Sequence, residues 1–438
     1  MKRVYTESYL TRNPKALLSR ASAFIVRNRR KLLAGFVLLL LLMFVISCLL
    51  VVSDARLYPV VAETTRKFNG PQGPKPTAPW VYANAAVLID GESGRVLYDK
   101  NAHQPLPVAS TTKMMTALVV RQQLELNEKV VISPEAAQVG EQEIWLEPGE
   151  TLTVEELLWA LLVQSANDAA YALAQHTTGS AESFVRLMNE EARKIGAVES
   201  HFTNPHGLDE PEHYSTAYDL AIIARQLLKD PVLAKMVVAK THDIPWPAHP
   251  YPRTAVNHNE LLKQYPGATG VKTGYTIPAG YCLVGSATKE GKQLVAVALN
   301  SQHRASDVGS LFDYGFQGTE RVVLVRKGET LGRARTSAFP RRFVRLVAEK
   351  EDAALSLKGS GDVFRRKDLL PRGAPGKIRK GGPIGLIECW LNENPIYRQR
   401  AKVAGNASKP GVFAAVLVFI WYAFCWMGRI LSAPFRIW

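Results

Sequence analysis

Between Leu32 and Val52 the chain reads LLAGFVLLLLLMFVISCLLVV, 21 residues without a charge. A helix rising about 1.5 Å per residue crosses a hydrocarbon core of roughly 30 Å over that length. No folded arrangement leaves such a run in water. Arg27, Arg29, Arg30 and Lys31 stand immediately before it. The positive-inside bias therefore places residues 1–31 in the cytoplasm as a basic segment and exports everything after Val52. Ser53-Asp54-Ala55 offers a small-residue cleavage site, but the run exceeds the roughly 7–15 apolar residues of a signal peptide. A lipid-attachment reading at Cys48 meets the same objection, because Leu-Leu-Val-Val follows it. An uncleaved transmembrane signal-anchor over 32–52 fits best. A second membrane segment is expected over 411–428, where GVFAAVLVFIWYAFCWM is uncharged and Trp/Tyr-rich. It either crosses back or lies partly in the interface. A basic and aromatic tail, 429–438, follows.

Charge sorts the remaining function classes. The whole chain carries +15, yet residues 1–31 account for +8, residues 320–438 for +14, and the long middle, 32–319, for −7. A mildly acidic body with basic ends suits a membrane surface or an anionic polymer better than a duplex groove. No nucleic-acid-binding signature accompanies the charge, so no nucleic acid is expected as a partner. The four cysteines, Cys48, Cys282, Cys389 and Cys425, show no CxxC or CxxH spacing, which speaks against a disulfide framework or a structural zinc. The nine histidines include no HExxH pair. His206 and His213 read as turn and surface residues, and no metal is expected.

Patterning divides the exported part into three. Residues 53–79 carry Pro59, Pro71, Pro74, Pro76 and Pro79 with Gly70 and Gly73, and read as a Pro-rich linker without regular structure. From 85 to 100, AAVLIDGESGRVLYDK is a hairpin, and 281–299 a second one turning at Glu290-Gly291. Helical periodicity fills Thr112–Gln123, Val154–His176 and Ala181–Ile195 between them. Strands at both ends with helices between imply one α/β unit over 80–318 whose terminal strands share a sheet. Beyond it, short apolar strands broken by Gly, Pro and basic clusters predict a small β-rich domain over 319–405.

Three short motifs carry chemistry. Ser110-Thr111-Thr112-Lys113 opens a helix, which sets an amine one turn from a hydroxyl on the same face. Taken alone, a serine there is a helix cap. Ser165-Ala166-Asn167 interrupts the apolar helix LLWALLVQ, and polar groups at a buried helix end need partners that a cleft or a capping turn supplies. Lys272-Thr273-Gly274 lies on an expected edge strand, where Lys272 and Thr273 suit an anionic ligand and Gly274 permits close backbone approach. In this order the motifs match the S-x-x-K, S-D-N and K-T-G set of penicillin-binding proteins and serine β-lactamases. Ala166 replaces the central Asp.

With its flanking text, PVASTTKMMTAL, LLVQSANDAAYALA, HFTNPHGLDEPEHYSTAYDLAIIAR and GATGVKTGYTIPAGYCLVGSA, the chain resembles the low-molecular-weight penicillin-binding proteins, the serine-type D-alanyl-D-alanine carboxypeptidases of bacterial walls. The resemblance covers about 80–318, and more faintly 375–404. It implies an α+β penicillin-binding/β-lactamase-like transpeptidase fold, an antiparallel sheet flanked by helices and followed by a β-rich domain. It also implies removal of terminal D-Ala from peptidoglycan stem peptides ending in D-Ala-D-Ala, through an acyl-enzyme on Ser110, with β-lactams as covalent inhibitors and no cofactor. Lys113 is then the base, Ser165 a proton relay and Asn167 the residue that holds the substrate backbone and orients Lys113. Lys272 and Thr273 take the terminal carboxylate beside Gly274, and the Ser110 and Tyr275 backbone N–H groups form the oxyanion hole. His206 and Asp219 receive no catalytic part. A DD-endopeptidase, a β-lactamase of the same fold, and a membrane-tethered sensor that binds wall peptides without turnover are the alternatives.

Overall fold

The computed structural model describes residues 61–336, 343–371, 373–374 and 380–405 of the chain, together with Leu38. The expected membrane segments at 32–52 and 411–428 fall outside this range but for Leu38. Among the described residues no helix is long and apolar enough to cross a membrane. In chain order come β1 (Val61–Asn69) and the hairpin β2 (Ala85–Asp90) and β3 (Val96–Lys100). A helical block follows: α1 (Lys113–Gln123), a ribbon of β4 (Lys129–Val131) and β5 (Thr151–Thr153), then α2 (Val154–Trp159), α3 (Asn167–Thr178), α4 (Ala181–Ile195), α5 (Ala217–Leu227) and α6 (Pro231–Val238). A second ribbon, β6 (Thr241–Ile244) and β7 (Arg253–Val256), and the short α7 (Leu261–Gln264) lead to β8 (Ala268–Thr276), β9 (Gly280–Lys289), β10 (Lys292–Leu299) and α8 (Arg304–Gly318).

The two hairpins join in one antiparallel sheet of order β3-β2-β10-β9-β8. Its central strands are apolar on both faces because both are covered. Val295, Val297 and Leu299 of β10 pack with α1, α3 and α5, while Leu294, Ala296 and Ala298 meet Val308, Leu311 and Phe312 of α8. Local chemistry sets the helix ends. Thr153 and Glu156 form a capping box at α2, and Asp230 caps α6 ahead of Pro231. Gly196 ends α4 in the left-handed conformation. The helical pattern expected over Val154–His176 is broken. After α2 a π-helical turn, Ala160–Gln164, runs into Ser165, whose φ is +68°, before α3 restarts at Asn167.

Strands take over after Gly318: β11 (Thr319–Val325), β12 (Thr330–Thr336), β13 (Phe343–Ala348), β14 (Asp352–Leu357), β15 (Val363–Pro371), β16 (Gly373–Ala374), β17 (Pro383–Leu391) and β18 (Asn394–Val403). Seven strands run β1-β15-β17-β18-β13-β12-β16. Because β12 pairs with β16, which begins two residues after β15 ends, the sheet closes on itself as a barrel. The linker expectation is corrected here. Residues 61–69 form β1, paired with β15 from Val61↔Pro371 to Asn69↔Val363. Most of this strand is exposed, so it lacks the apolar alternation that reveals a strand.

Inside the barrel β15 points Phe364, Arg366, Asp368 and Leu370 inward. Arg366, 1 % exposed, donates from Nε and Nη2 to the two Asp368 carboxylate oxygens at 2.8 and 2.9 Å, and from Nη1 to Leu324 O and Glu329. Removing one partner of such a pair strands a buried charge, at a cost of about 3–5 kcal/mol. Asp368→Ala is therefore expected to lower the unfolding free energy by that order, read as a lower denaturant midpoint. Asp368→Leu combined with Arg366→Met should recover part of the loss.

Candidate active site

The first motif folds as a 3-10 turn, Ala109–Thr112, running directly into α1, so Ser110 lies in the turn before the helix and Lys113 opens it. The turn is sharp, with Ala109 at φ +48°. Lys113 is 0 % exposed. Its Nζ lies 2.8 Å from Ser110 Oγ, 2.6 Å from Asn167 Oδ1 and 2.6 Å from the His206 carbonyl oxygen. Burial first, and the neighbouring charge of Lys272 second, hold its pKa well below the ordinary lysine value. A neutral amine has two N–H groups and one lone pair. Asn167 Oδ1 and His206 O can take the two hydrogens, which leaves the lone pair for the Ser110 hydroxyl proton.

Each partner is itself fixed. Asn167 donates from Nδ2 to Gly140 O at 2.9 Å and from its backbone N to Gln142 O at 2.7 Å, so its Oδ1 can only face Lys113. The next residue, Asp168, is buried and accepts from the backbone N–H groups of Ile144 and Leu146. This ties the 140–146 loop to the start of α3. The turn Asn204–Gly207 carries the His206 carbonyl to the amine. Asn204 Oδ1 accepts from Gly207 N at 2.7 Å, and Gly207, at φ +89°, lies so close to Ala109 that a Cβ there would fall 2.1 Å from the Ala109 oxygen. Only glycine fits on both counts.

The second pair faces the first. Ser165, held left-handed at the break between α2 and α3, meets Lys272 of the edge strand β8, with Nζ and Oγ 2.8 Å apart. Lys272 is 3 % exposed, and burial, then Arg304, bring its pKa to about 7. Gly274 of the same strand packs on the serine turn, where a Cβ would meet Val108 O at 3.0 Å and Ser110 N at 3.1 Å. Thr273 is half-buried between them. Tyr275 is 54 % exposed on the rim, with its ring 4.5 Å from that of Tyr281. All eight residues singled out from the motifs thus gather at one edge of the sheet. Arg304, at the start of α8, reaches the Gly274 and Cys282 carbonyls while paired with Glu260.

Sequence reasoning missed the carbonyl contacts of Gly140, Gln142 and His206, and the anchoring role of Asp168. The turn signals Asn-Pro-His-Gly were visible, but a carbonyl has no side-chain signature. His213 is not a surface residue. It is buried, accepts from Thr203 N at Nδ1 and pairs with Thr112 Oγ1 at 2.8 Å through Nε2. Burial lowers its pKa to about 4 and that of His206 to about 3, so both rings stay neutral near pH 7. Asp219 accepts from Glu199 N and Ser200 Oγ, well embedded beneath the loop that precedes α5. Among the described residues no group of three or more His, Cys, Asp or Glu side chains is placed to hold a metal.

Comparison with known proteins converges on one family. Residues 73–303 match the family described as D-alanyl-D-alanine carboxypeptidase. D-alanyl-D-alanine carboxypeptidase DacF of Bacillus subtilis (strain 168) is 36 % identical over 321 residues, covering 70 % of this chain and 80 % of the relative. DacC of Escherichia coli (strain K12) is 32 % identical over 374 residues, 81 % of this chain and 92 % of its own. Among solved structures, penicillin binding protein 5 from Haemophilus influenzae superposes with a TM-score of 0.59 at 28 % identity, over 76 % of this chain and 99 % of that one. With the motif serine, both lysines and the mixed α/β fold already in place, the chain belongs to the D-alanyl-D-alanine carboxypeptidase family.

Proposed function

We propose that this chain hydrolyses the terminal D-Ala from peptidoglycan stem peptides ending in D-Ala-D-Ala, by way of an acyl-enzyme on Ser110. We further propose that residues 32–52 and 411–428 hold its catalytic body at the outer face of a bacterial membrane. The observation that carries the chemistry is the buried Lys113 amine, 2.8 Å from Ser110 Oγ and short of solvent. Free serine is a poor nucleophile, and a base of matched pKa within hydrogen-bond reach activates it.

The arrangement supports the following steps. Lys113 takes the Ser110 proton as Oγ bonds to the carbonyl carbon of the penultimate D-Ala. The carbonyl electron pair moves to its oxygen, which the Ser110 and Tyr275 N–H groups stabilise. The oxyanion collapses, the peptide C–N bond breaks, and the departing amine of terminal D-Ala takes a proton passed from Lys113 through Ser165. Lys272 and Thr273 hold the terminal carboxylate, and Lys272 keeps Ser165 in place from the other side. Water, deprotonated by Lys113, then cleaves the ester. A β-lactam enters the same first step, but its opened ring keeps the leaving nitrogen attached. The N-terminal anchor is supported by its uncharged length and by the four basic residues before it.

Incubation of the protein with diacetyl-Lys-D-Ala-D-Ala is expected to release free D-Ala, and Ser110→Ala should abolish release. Ser110 labelled by penicillin without D-Ala release would overturn the carboxypeptidase reading. Lys113→Ala should fold and yet acylate roughly 10²–10⁴-fold more slowly with a fluorescent penicillin, the usual contribution of a general base. The two lysines also predict a bell-shaped pH profile of kcat/KM. Lys113 acts when deprotonated, so activity climbs with pH through its depressed pKa. Lys272 acts when charged, so activity falls as pH passes about 7. Lys272→Arg, whose guanidinium stays charged, should remove the alkaline fall, and an unchanged alkaline limb would reassign it.

A further inference from the structure

We propose that one end of the five-stranded sheet, beside the catalytic cleft, is a docking track for a glycan strand, the polymer from which a stem peptide branches. Its placement rests on the reading of the chain as a carboxypeptidase of peptidoglycan stems. In that reading Lys272 and Thr273 hold the terminal carboxylate, and the Tyr275 N–H receives the carbonyl oxygen under attack. From leaving group to acyl group the substrate therefore follows the direction of β8. The rest of the stem, and the sugars that carry it, leave past Thr276, where β8 ends.

Strand pairing shows what is gathered at that end. β8 runs antiparallel to β9, β9 to β10, β10 to β2 and β2 to β3. The end of β8, the start of β9, the end of β10, the start of β2 and the end of β3 therefore lie side by side. Among the described residues seven aromatic side chains are largely exposed, and four of them stand here: Tyr275, Tyr281, Tyr82 and Trp80. Their exposure runs from 37 % for Tyr281 to 78 % for Trp80. They come from three separate stretches of chain, so the fold and not local sequence brings them together. Tyr275 pairs with Tyr281 across the strands. Ser301 N, just past β10, donates to Tyr281 O at 2.9 Å, and Asn84 N, just before β2, donates to Leu299 O at 3.0 Å. At about 4.8 Å per strand, the row from β8 to β3 spans roughly 20 Å, room for several sugar rings.

The rings are braced from the protein side. Lys100 Nζ lies 5.5 Å from the centre of the Trp80 ring, the His303 ring 4.5 Å from that of Tyr82, and Arg304 Cζ 5.2 Å from that of Tyr281. Tyr82 N and Ala83 N both donate to the buried Asp307 carboxylate at 2.9 Å. Val81 and Ala83 enter the core beside α8, which turns Trp80 and Tyr82 outward. Rings fixed in advance lose little freedom on binding. A sugar ring suits them because its C–H face is the positive partner that the negative face of an aromatic ring attracts. Polar groups for the hydroxyls stand at both ends of the row: Asp209, which accepts from Thr276 Oγ1 at 2.8 Å, and Asn101. An exposed apolar patch rimmed by polar groups marks an interaction site, and Tyr275 makes this one continuous with the cleft.

The test gives the full chain, in detergent, two substrates with the same reacting group. One is diacetyl-Lys-D-Ala-D-Ala, the other uncrosslinked glycan strands bearing stems that end in D-Ala-D-Ala. Trp80→Ala combined with Tyr82→Ala is expected to raise KM for the strands roughly tenfold, the order that two aromatic contacts supply. Turnover of the strands and both constants for the tripeptide should stay as they were, and Trp80→Phe with Tyr82→Phe should keep most of the strand affinity. Strands stripped of their stems should bind the unaltered protein in calorimetry and bind the double alanine variant more weakly. An unchanged KM for the strands, or an equal loss on both substrates, overturns the track. If the unaltered protein releases D-Ala from neither substrate, the carboxypeptidase reading falls by itself and the stripped strands decide. Binding that the alanine variant weakens then upholds the track, and binding that is absent or unaltered overturns it. A changed oligomeric state in the variant, by light scattering, with strand binding intact assigns the row to a contact between copies and overturns the proposal as well.

Discussion

A lysine amine without solvent is the constraint around which the catalytic body is arranged. Burying an ammonium unpaired is prohibitive, so the group survives only if its neutral form is favoured and its remaining hydrogens find acceptors. Lys113 meets both conditions with partners from its own turn and from two distant parts of the chain, the start of α3 and the Asn204–Gly207 turn. Each must arrive within about 3 Å. Backbone distortion gathers accordingly, at Ala109, Ser165 and Gly207, with φ of +48°, +68° and +89°. Non-glycine residues in that region cost of order 1–3 kcal/mol each and persist where surrounding structure over-determines them. Here the helical block and the sheet supply that surrounding structure, from opposite sides of the cleft.

The second lysine makes the first one useful. Lys113 and Lys272 are both depressed by burial, and the charge of Lys272 further disfavours charge on Lys113. Two like groups in one cleft separate into a proton acceptor and a cation when their surroundings differ. Lys113 is ringed by carbonyl-type acceptors, Asn167 Oδ1 and His206 O. Lys272 sits on an edge strand against the hydroxyl of Ser165, with Arg304 beyond it. Arg304 is itself balanced by Glu260, so its field on Lys272 is partly offset. The arrangement keeps one amine neutral and lets the other carry its charge up to about pH 7.

Much of this was legible in the sequence because it lies in side chains at fixed spacings. Ser110 and Lys113 are one turn apart, and the interruption at Ser165 shows as polar residues in an apolar helix. Glycine follows Lys272-Thr273 where the strand must approach the serine turn. The hairpins of the central sheet were legible for a similar reason, since strands covered on both faces read as continuous apolar runs. What escaped lacks a pattern of its own. The His206 carbonyl could be any residue's carbonyl. β1 is an edge strand whose mostly exposed side chains, ETTRKF, alternate in nothing that hydrophobicity reports, and the prolines on either side concealed it. β15 carries Arg366 and Asp368 toward the core, which inverts the usual meaning of a charge in a strand. Pairing across the barrel, not local preference, decides that face.

The junction between the two parts explains why the cleft sits where it does. The turn joining β2 to β3 holds the barrel: Asp90 accepts from Leu355 N, Arg95 donates to Leu355 O and pairs with Asp362, and Arg225 braces the same turn through Gly91 O. These contacts are largely buried, and Leu355 and Leu357 of β14 enter the core beneath the sheet, so the junction is a packed interface and not a loose hinge. β3 is one edge of the five-stranded sheet and β8, with Lys272, is the other. At about 4.8 Å per strand the site lies close to 20 Å across the sheet from the junction. The nine residues of β1 and of β15 add roughly 30 Å between that junction and the far end of the barrel. A charge on the barrel therefore has little electrostatic purchase on Lys113 or Lys272, being several Debye lengths away through solvent. The barrel and the depressed lysines can each follow their own requirements because the fold keeps them apart.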